Sequence, residues 1–140
     1  MDVIYFSTRG VYKELSNFYP SQIFLEGKWW PTVEHFYQAR KTDFPETQEY
    51  IRSIEKPIEA KKFARSIPIR SDWERIKEDV MLQALRAKFS IPELREILLS
   101  TGDAIIHENS QYDDYWGTKG LNRLGKLLMQ VRDEIKETDR

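Results

Sequence analysis

Pro31-Thr32-Val33-Glu34-His35-Phe36-Tyr37-Gln38-Ala39-Arg40-Lys41 constrains this chain more than any other stretch. Thr32 is a residue type that caps helices through its hydroxyl, so a helix is predicted to open just after the Trp29-Trp30 pair. Val33, Phe36, Tyr37 and Ala39 make that helix apolar enough to be mostly buried. Glu34, Gln38 and Lys41 follow one another at i, i+4 and i+7, lining one face over two turns. Polar groups carried into an interior need partners or a cavity. A fold built around this helix must therefore supply one or the other, and an active-site cleft is the reading to test first.

The 140 residues suit one domain with a single core, so residues 1–140 are expected to form one unit. Hydrophobic residues at 40% and charged residues at 32% fit a soluble globular protein. The formal net charge of -1 supplies no global field toward nucleic acid or anionic membrane, a local basic patch aside. There is no cysteine, which excludes disulfides, thiolate metal sites and cysteine nucleophiles. His35 and His107 are the only histidines and no His-Glu-x-x-His pattern occurs, so no metal site is expected. The first residues, Met1-Asp2-Val3-Ile4-Tyr5-Phe6, lack the basic and long apolar regions of a signal peptide. No segment approaches a membrane-spanning length. A cytoplasmic location without membrane association is the expectation.

The first thirty residues read as β-like. Val3-Ile4-Tyr5-Phe6 is a short apolar run, and Gln22–Leu25 and Lys28–Trp30 flank Glu26-Gly27 as a hairpin would. Pro45 and Pro57 are placed to start short helices through Ile54 and Ala64. Ser71-Asp72-Trp73-Glu74 and Ser90-Ile91-Pro92-Glu93 both have the capping-box form. The first opens a long helix with Trp73, Ile76, Val80, Ala84 and Ala87 on one stripe and Met81 and Leu85 beside it. The second ends near Thr101-Gly102, where glycine suits a left-handed cap. Ala104-Ile105-Ile106 reads as either a strand or a buried turn. Leu121, Leu124, Leu128, Val131 and Ile135 form the stripe of a final amphipathic helix. The predicted fold is mainly α (α+β): a compact multi-helical domain with a small N-terminal antiparallel β-sheet.

Four clusters could carry chemistry, each beside a plainer reading. Asn17 and Phe18 lie in a loop, where Asn most often forms a turn; the alternative is an amide orienting a base or sugar with Phe18 beside it. Glu34, Gln38 and Lys41 form either an ordinary helix face or a site. As a site, burial would raise the Glu34 pKa toward proton-transfer duty, and apolar walls would lower that of Lys41 toward nucleophilic duty. His35, on another face, reads as a hydrogen-bonded structural residue. Trp73 is core or a stacking platform. Asp113-Asp114-Tyr115-Trp116-Gly117, then Gly120-Leu121-Asn122-Arg123, is a surface loop or a phosphate cradle feeding a helix N-terminus, with Lys119 and Arg123 adding charge.

Taken together, these pieces resemble the NADAR family of YbiA-like proteins. The matching segments are Leu15-Ser16-Asn17-Phe18, Glu34–Ala39 with Lys41, Trp73, Lys88-Phe89, Leu98-Leu99-x-Thr101-Gly102-Asp103 and Glu108-Asn109-Ser110. Asp113-x-x-Trp116-Gly117 and Asn122-x-Leu124-Gly125-Lys126-Leu127-Leu128-Met129 complete the set, in the family's order. The Trp116–Asn122 segment is shorter than in many relatives. The resemblance implies an N-glycosidase acting on ribose C1. Its substrate would be a ribosylamino-pyrimidine phosphate of riboflavin synthesis, or ADP-ribose on guanine of DNA or RNA. It implies Glu34, Lys41 and Asp113 as catalytic residues. Asn17, Phe18, Gln38, Trp73, Trp116, Gly117 and Asn122 would contact substrate, with no cofactor and no metal. A non-catalytic module binding NAD or ADP-ribose is the alternative, and a helical protein–protein adaptor a third. Oligomeric state is not legible.

Overall fold

Every side chain from Val33 to Ala39 is buried, which makes this short helix the natural origin for describing the structure. The computed structural model describes residues 2–110, 113, 115–118 and 120–139. In chain order the elements are β1 (Val3–Phe6), a 3-10 turn (Lys13–Leu15), β2 (Ile23–Leu25), β3 (Lys28–Trp30), α1 (Val33–Ala39), α2 (Pro45–Ser53), α3 (Pro57–Ala64), α4 (Trp73–Lys88), α5 (Pro92–Ser100), β4 (Ile105–Glu108) and α6 (Arg123–Thr138). They group into two compact units, Pro20–Lys88 and the pair of segments Met1–Tyr19 with Phe89–Arg140. The mainly helical architecture with a small antiparallel pair is the predicted one.

In the Pro20–Lys88 unit, α1 packs against α2, α3 and α4. Strands β2 and β3 form the expected hairpin, pairing Ile23 with Trp30, Phe24 with Trp29 and Leu25 with Lys28. Glu26 and Gly27 both have positive φ, 55° and 76°, as a two-residue hairpin turn matching strand twist requires. Glu49 of α2 takes Lys28 at 3.1 Å and Arg52 at 2.6 Å, and Arg52 also donates to the Trp29 carbonyl, so the hairpin is tied to α2. Pro45 and Pro57 begin α2 and α3 as predicted, their missing N–H falling where a helix has no partner for it.

Neither capping box forms. Helix α4 starts at Trp73, with the Asp72 carbonyl accepting from the Arg75 and Ile76 N–H groups, and Glu74 pairs instead with Lys77. Helix α5 starts at Pro92, which puts Ile91 at the cap and Ser90 one residue outside. The α4 stripe is buried at Trp73, Val80 and Ala84 with Met81 and Leu85, whereas Ile76 and Ala87 are half-buried. Lys88, the last residue of α4, is fully buried, at the end of the helix where a cation is favoured.

In the other unit, β1 pairs with β4 in parallel, Ile4 opposite Ile106. Residues 105–108 are therefore a strand, settling the open reading. Helix α6 packs on β4 and α5. Leu124, Leu128 and Val131 of its stripe are buried, but Leu121 lies before the helix and is exposed. Arg132, also buried, donates from Nη1 to Thr101 Oγ1 at 2.9 Å and to the Ala104 carbonyl at 2.8 Å, satisfying the turn between α5 and β4. Gly102, at φ 61°, follows the α5 cap as predicted. No helix among the described residues is long and apolar enough to cross a membrane.

Candidate active site

Thr32 starts α1 by accepting from the His35 backbone N–H at 3.1 Å. The same hydroxyl lies 2.8 Å from His35 Nδ1, and His35 Nε2 lies 2.7 Å from the Ile54 carbonyl. A carbonyl only accepts, so Nε2 carries the proton and Nδ1 accepts from the Thr32 hydroxyl. His35 is thus a neutral structural pin between α1 and the end of α2, as its position off the Glu34 face suggested. Burial lowers its pKa from the ordinary value of 6.5, against the opposing hydrogen bond to Ile54.

This has a pH consequence. Well above pH 6.5 His35 is neutral in both folded and unfolded chains, and its contribution is complete. As pH falls below 6.5 the unfolded chain takes the proton first, so stability declines until the folded pKa is passed. The carboxylates held low act further down. Glu49 is pulled from 4.5 to about 2, first by Arg52, and Asp72 and Asp103 are lowered from 3.8, first by Arg70 and Lys136. As pH falls below 6.5, urea unfolding should show stability declining by up to about 1.4 kcal/mol per pH unit, and His35→Gln should remove that slope. An unchanged slope in the variant would assign the proton elsewhere.

Glu34, the second residue of α1, sits where the helix dipole favours negative charge. It is 6% exposed, and Gln38 Nε2 donates to its Oε1 at 2.7 Å. The predicted Glu34–Gln38 pair therefore exists and is buried. Lys41 does not extend the helical face as predicted. Helix α1 ends at Ala39, Arg40 is its cap, and the Lys41 N–H turns back to the Gln38 carbonyl. Its Nζ instead lies 5.5 Å from the centre of the Tyr37 ring. Tyr37 meets Trp73 edge-on at 5.0 Å. Trp73 is 5% exposed.

Arg70 fixes this arrangement. Its N–H donates to the Lys41 carbonyl at 2.8 Å, and its guanidinium joins Asp43 at 3.1 Å and Asp72 at 2.6 Å. Its own carbonyl accepts from the Trp73 N–H. The turn that begins α4 is thereby docked on the chain leaving α1, with Trp73 against Tyr37. Sequence reasoning singled out neither Arg70 nor Tyr37's place under Lys41. An Arg two residues before Asp72 gives no sign of its distant partners.

In the unit containing residues 1–19 and 89–140, the Asp113–Asn122 loop is organised by its own side chains. Asp113 Oδ1 accepts from the Tyr115 and Trp116 N–H groups at 3.0 and 2.8 Å. Trp116 is 9% exposed and meets Tyr115 edge-on. A Cβ on Gly117 would come within 2.8 Å of the Ser110 Cβ and 2.9 Å of the Asp113 carbonyl, so glycine is needed for the turn to close. Asn122, expected as a substrate contact, is bonded to β4 through its side chain. Its Nδ2 donates to the Ile106 carbonyl at 2.9 Å and its Oδ1 accepts from the Glu108 N–H at 3.3 Å, committing the amide to β4. Nor does it cap α6 through its side chain.

Two N–H groups of the helix N-terminus expected to cradle phosphate have partners in the preceding loop. The Arg123 and Leu124 N–H groups donate to the Tyr115 and Trp116 carbonyls. Asp114 and Lys119, part of that expectation, lie outside the described residues. Asn17 is buried and Phe18 half-buried in a turn closed by the Ser16 hydroxyl, which accepts from the Phe18 N–H at 3.1 Å. Among the described residues no three His, Asp or Glu side chains are grouped to hold a metal ion.

A family model, the NADAR domain, matches residues 5–136. The chain belongs to the NADAR family. It is 44% identical to N-glycosidase YbiA of Escherichia coli over 138 residues, covering 94% of this chain and 86% of that protein. It is 38% identical to the chloroplastic riboflavin biosynthesis protein PYRR of Zea mays, covering 97% of this chain and 25% of that protein. The NMR structure of Escherichia coli YbiA matches with a TM-score of 0.87 and 40% identity, covering 99% of this chain and 89% of that one. The NADAR resemblance drawn from the ordered motifs is therefore correct. Of its residues, Gln38 bonds Glu34 on α1, Lys41 lies over Tyr37 and Tyr37 meets Trp73, while Asp113, Gly117 and Asn122 shape a loop.

Proposed function

We propose that this chain hydrolyses the N-glycosidic bond between a ribose C1 and a nitrogen of a ribosylated small molecule, with Glu34 as its acid/base. The observation that carries this is a buried carboxylate fixed by Gln38 on a wholly buried helix of a NADAR chain. Breaking the C1–N bond sends its electron pair to nitrogen and leaves positive charge on the ribose. A carboxylate beside C1 stabilises that charge. Glu34 takes a proton from the attacking water as the C1–O bond forms. The Lys41 ammonium gives a proton to the leaving nitrogen, so a free amine and a C1 hydroxyl result, and exchange with solvent resets both groups.

An ammonium over the face of an aromatic ring is favoured over the neutral amine, so Tyr37 supports the charged form of Lys41. That favours direct hydrolysis over attack by Lys41 on C1. Lys41→Arg keeps the charge but scarcely donates a proton, and should lower kcat by roughly 10²-fold. Borohydride added during turnover should trap no substrate adduct. A trapped adduct in wild type that is absent from Lys41→Arg would make Lys41 the nucleophile instead.

The relatives named as an N-glycosidase and as a riboflavin biosynthesis protein support testing a ribosylamino-pyrimidine phosphate first, with ADP-ribose on guanine of nucleic acid as the second class. Purified protein offered both should release ribose phosphate from the first or ADP-ribose from the second. Binding of NAD or ADP-ribose without turnover of either would replace the enzyme reading with a sensing module.

A further inference from the structure

Lys41 lies on the link between α1 and α2, one residue past the Arg40 cap, so helix geometry no longer places it. A lysine carries its charge at the end of a long flexible stem, and the reach of that charge depends on where the backbone is anchored. The anchors here are specific. The Lys41 N–H donates to the Gln38 carbonyl at 3.2 Å, and the Lys41 carbonyl accepts from the Arg70 N–H at 2.8 Å. Gln48 of α2 donates to the Thr42 carbonyl at 2.7 Å.

The Arg70 guanidinium adds a further hold. Its Nη1 lies 3.1 Å from Asp43 Oδ1, while Nε and Nη2 take the two oxygens of Asp72 at 2.6 and 3.2 Å. A planar fork can serve both carboxylates at once, which a single ammonium cannot. Asp43 follows Lys41 by two residues. Asp72 precedes Trp73, whose N–H donates to the Arg70 carbonyl and whose ring meets Tyr37. Arg70 therefore joins the link that carries Lys41 to the turn that backs the ring beneath its ammonium. Stability does not account for the Asp43 contact. That carboxylate is 69% exposed, and ion pairs so open to water add little to folding.

The geometry points to Arg70 as a positioning residue for Lys41, holding its Nζ over Tyr37 so that its proton reaches the leaving nitrogen. The inference rests on the N-glycosidase reading, in which Lys41 is the donor. Arg70 acts only through Lys41, its guanidinium being engaged by two carboxylates.

Arg70→Lys tests this, because it keeps the positive charge and both backbone hydrogen bonds and removes only the fork. With a ribosylamino-pyrimidine phosphate, kcat should fall about 10–100-fold, as a displacement of about 1 Å in a reacting group can produce, with KM changed less than about 2-fold. In a Lys41→Arg background the same substitution should cost no further activity, since effects carried through one residue do not add. Additive losses, or an unchanged kcat in Arg70→Lys, overturn the inference. Asp43→Ala cuts the tie to the link alone, on an exposed side chain, and should also lower kcat; wild-type kcat in that variant overturns it as well.

Competitive acylation with acetic anhydride, read by mass spectrometry, follows Lys41 without any turnover. Its labelling rate relative to exposed Lys56 should rise about 2–5-fold in Arg70→Lys, as the amine leaves the ring that favours its ammonium. No change in that ratio overturns the inference. A rise in the ratio, in a protein whose wild type hydrolyses no substrate offered, would count against the enzyme reading while the placement of Lys41 by Arg70 stands.

Discussion

Glu34→Gln should lower kcat by about 10²–10⁴-fold while leaving the chain folded. The fold survives because the new amide keeps an oxygen where Glu34 Oε1 accepts from Gln38 Nε2. The 2.7 Å bond changes from charge-assisted to neutral, a loss of about 1 kcal/mol. What the variant cannot do is take a proton from water or balance positive charge on the ribose. The two effects therefore separate: Tm lower by only about 2–4 °C, turnover almost gone. Because a ground-state hydrogen bond is kept, KM should move less than kcat. Wild-type turnover in the variant would remove Glu34 from the mechanism. A wild-type protein that binds ligand without turnover, with affinity unaffected by the substitution, would instead describe a sensing module.

The features legible in the sequence are those that neighbouring residues decide among themselves. Thr32 caps α1 because its hydroxyl reaches an N–H three residues on, and Glu26-Gly27 turns the hairpin because both residues accept positive φ. Pro45 and Pro57 start helices by their own geometry. The capping boxes were misleading because other local forces were stronger. Asp72 is engaged by Arg70, and Pro92 fixes the first turn of α5 one residue later than Ser90 would. The parallel pairing of β1 with β4 joins residues about a hundred positions apart, and no local pattern encodes it.

The candidate site divides in the same way. The Glu34–Gln38 pair follows from helical spacing alone, and its burial from the apolar residues between them. Lys41 escaped the same logic because α1 stops two residues before it, and the position of its Nζ depends on Tyr37. The bonds that Asn122 makes were not legible in its loop. Its partners are carbonyl and amide groups of a strand fourteen to sixteen residues earlier.

Those same partners make Gly125→Ala the largest expected loss of stability. A Cβ at Gly125 would lie 2.0 Å from the Ile106 carbonyl oxygen, 2.5 Å from Asn122 Nδ2 and 2.7 Å from Asn122 Oδ1. Neither neighbour can yield cheaply. The carbonyl belongs to a strand held in register by β1, and the Asn122 amide is bonded at both ends to that strand. Helix α6 would have to lift from β4, uncovering Ile106, Leu124 and Leu128, all at 0% exposure. Ordinary overpacking costs about 1–3 kcal/mol because side chains can shift; here backbone must move, so about 3 kcal/mol or more is expected. For a chain of this size that lowers Tm by roughly 6–12 °C. Gly102→Ala is the control, since its Cβ would meet nothing within 4 Å and only the φ of 61° resists it. That substitution should cost about 1 kcal/mol. Equal losses for the two variants would mean that α6 does not depend on close approach to β4. A much larger loss at Gly125 would place a stability determinant of this NADAR chain at a helix–strand contact that only glycine permits.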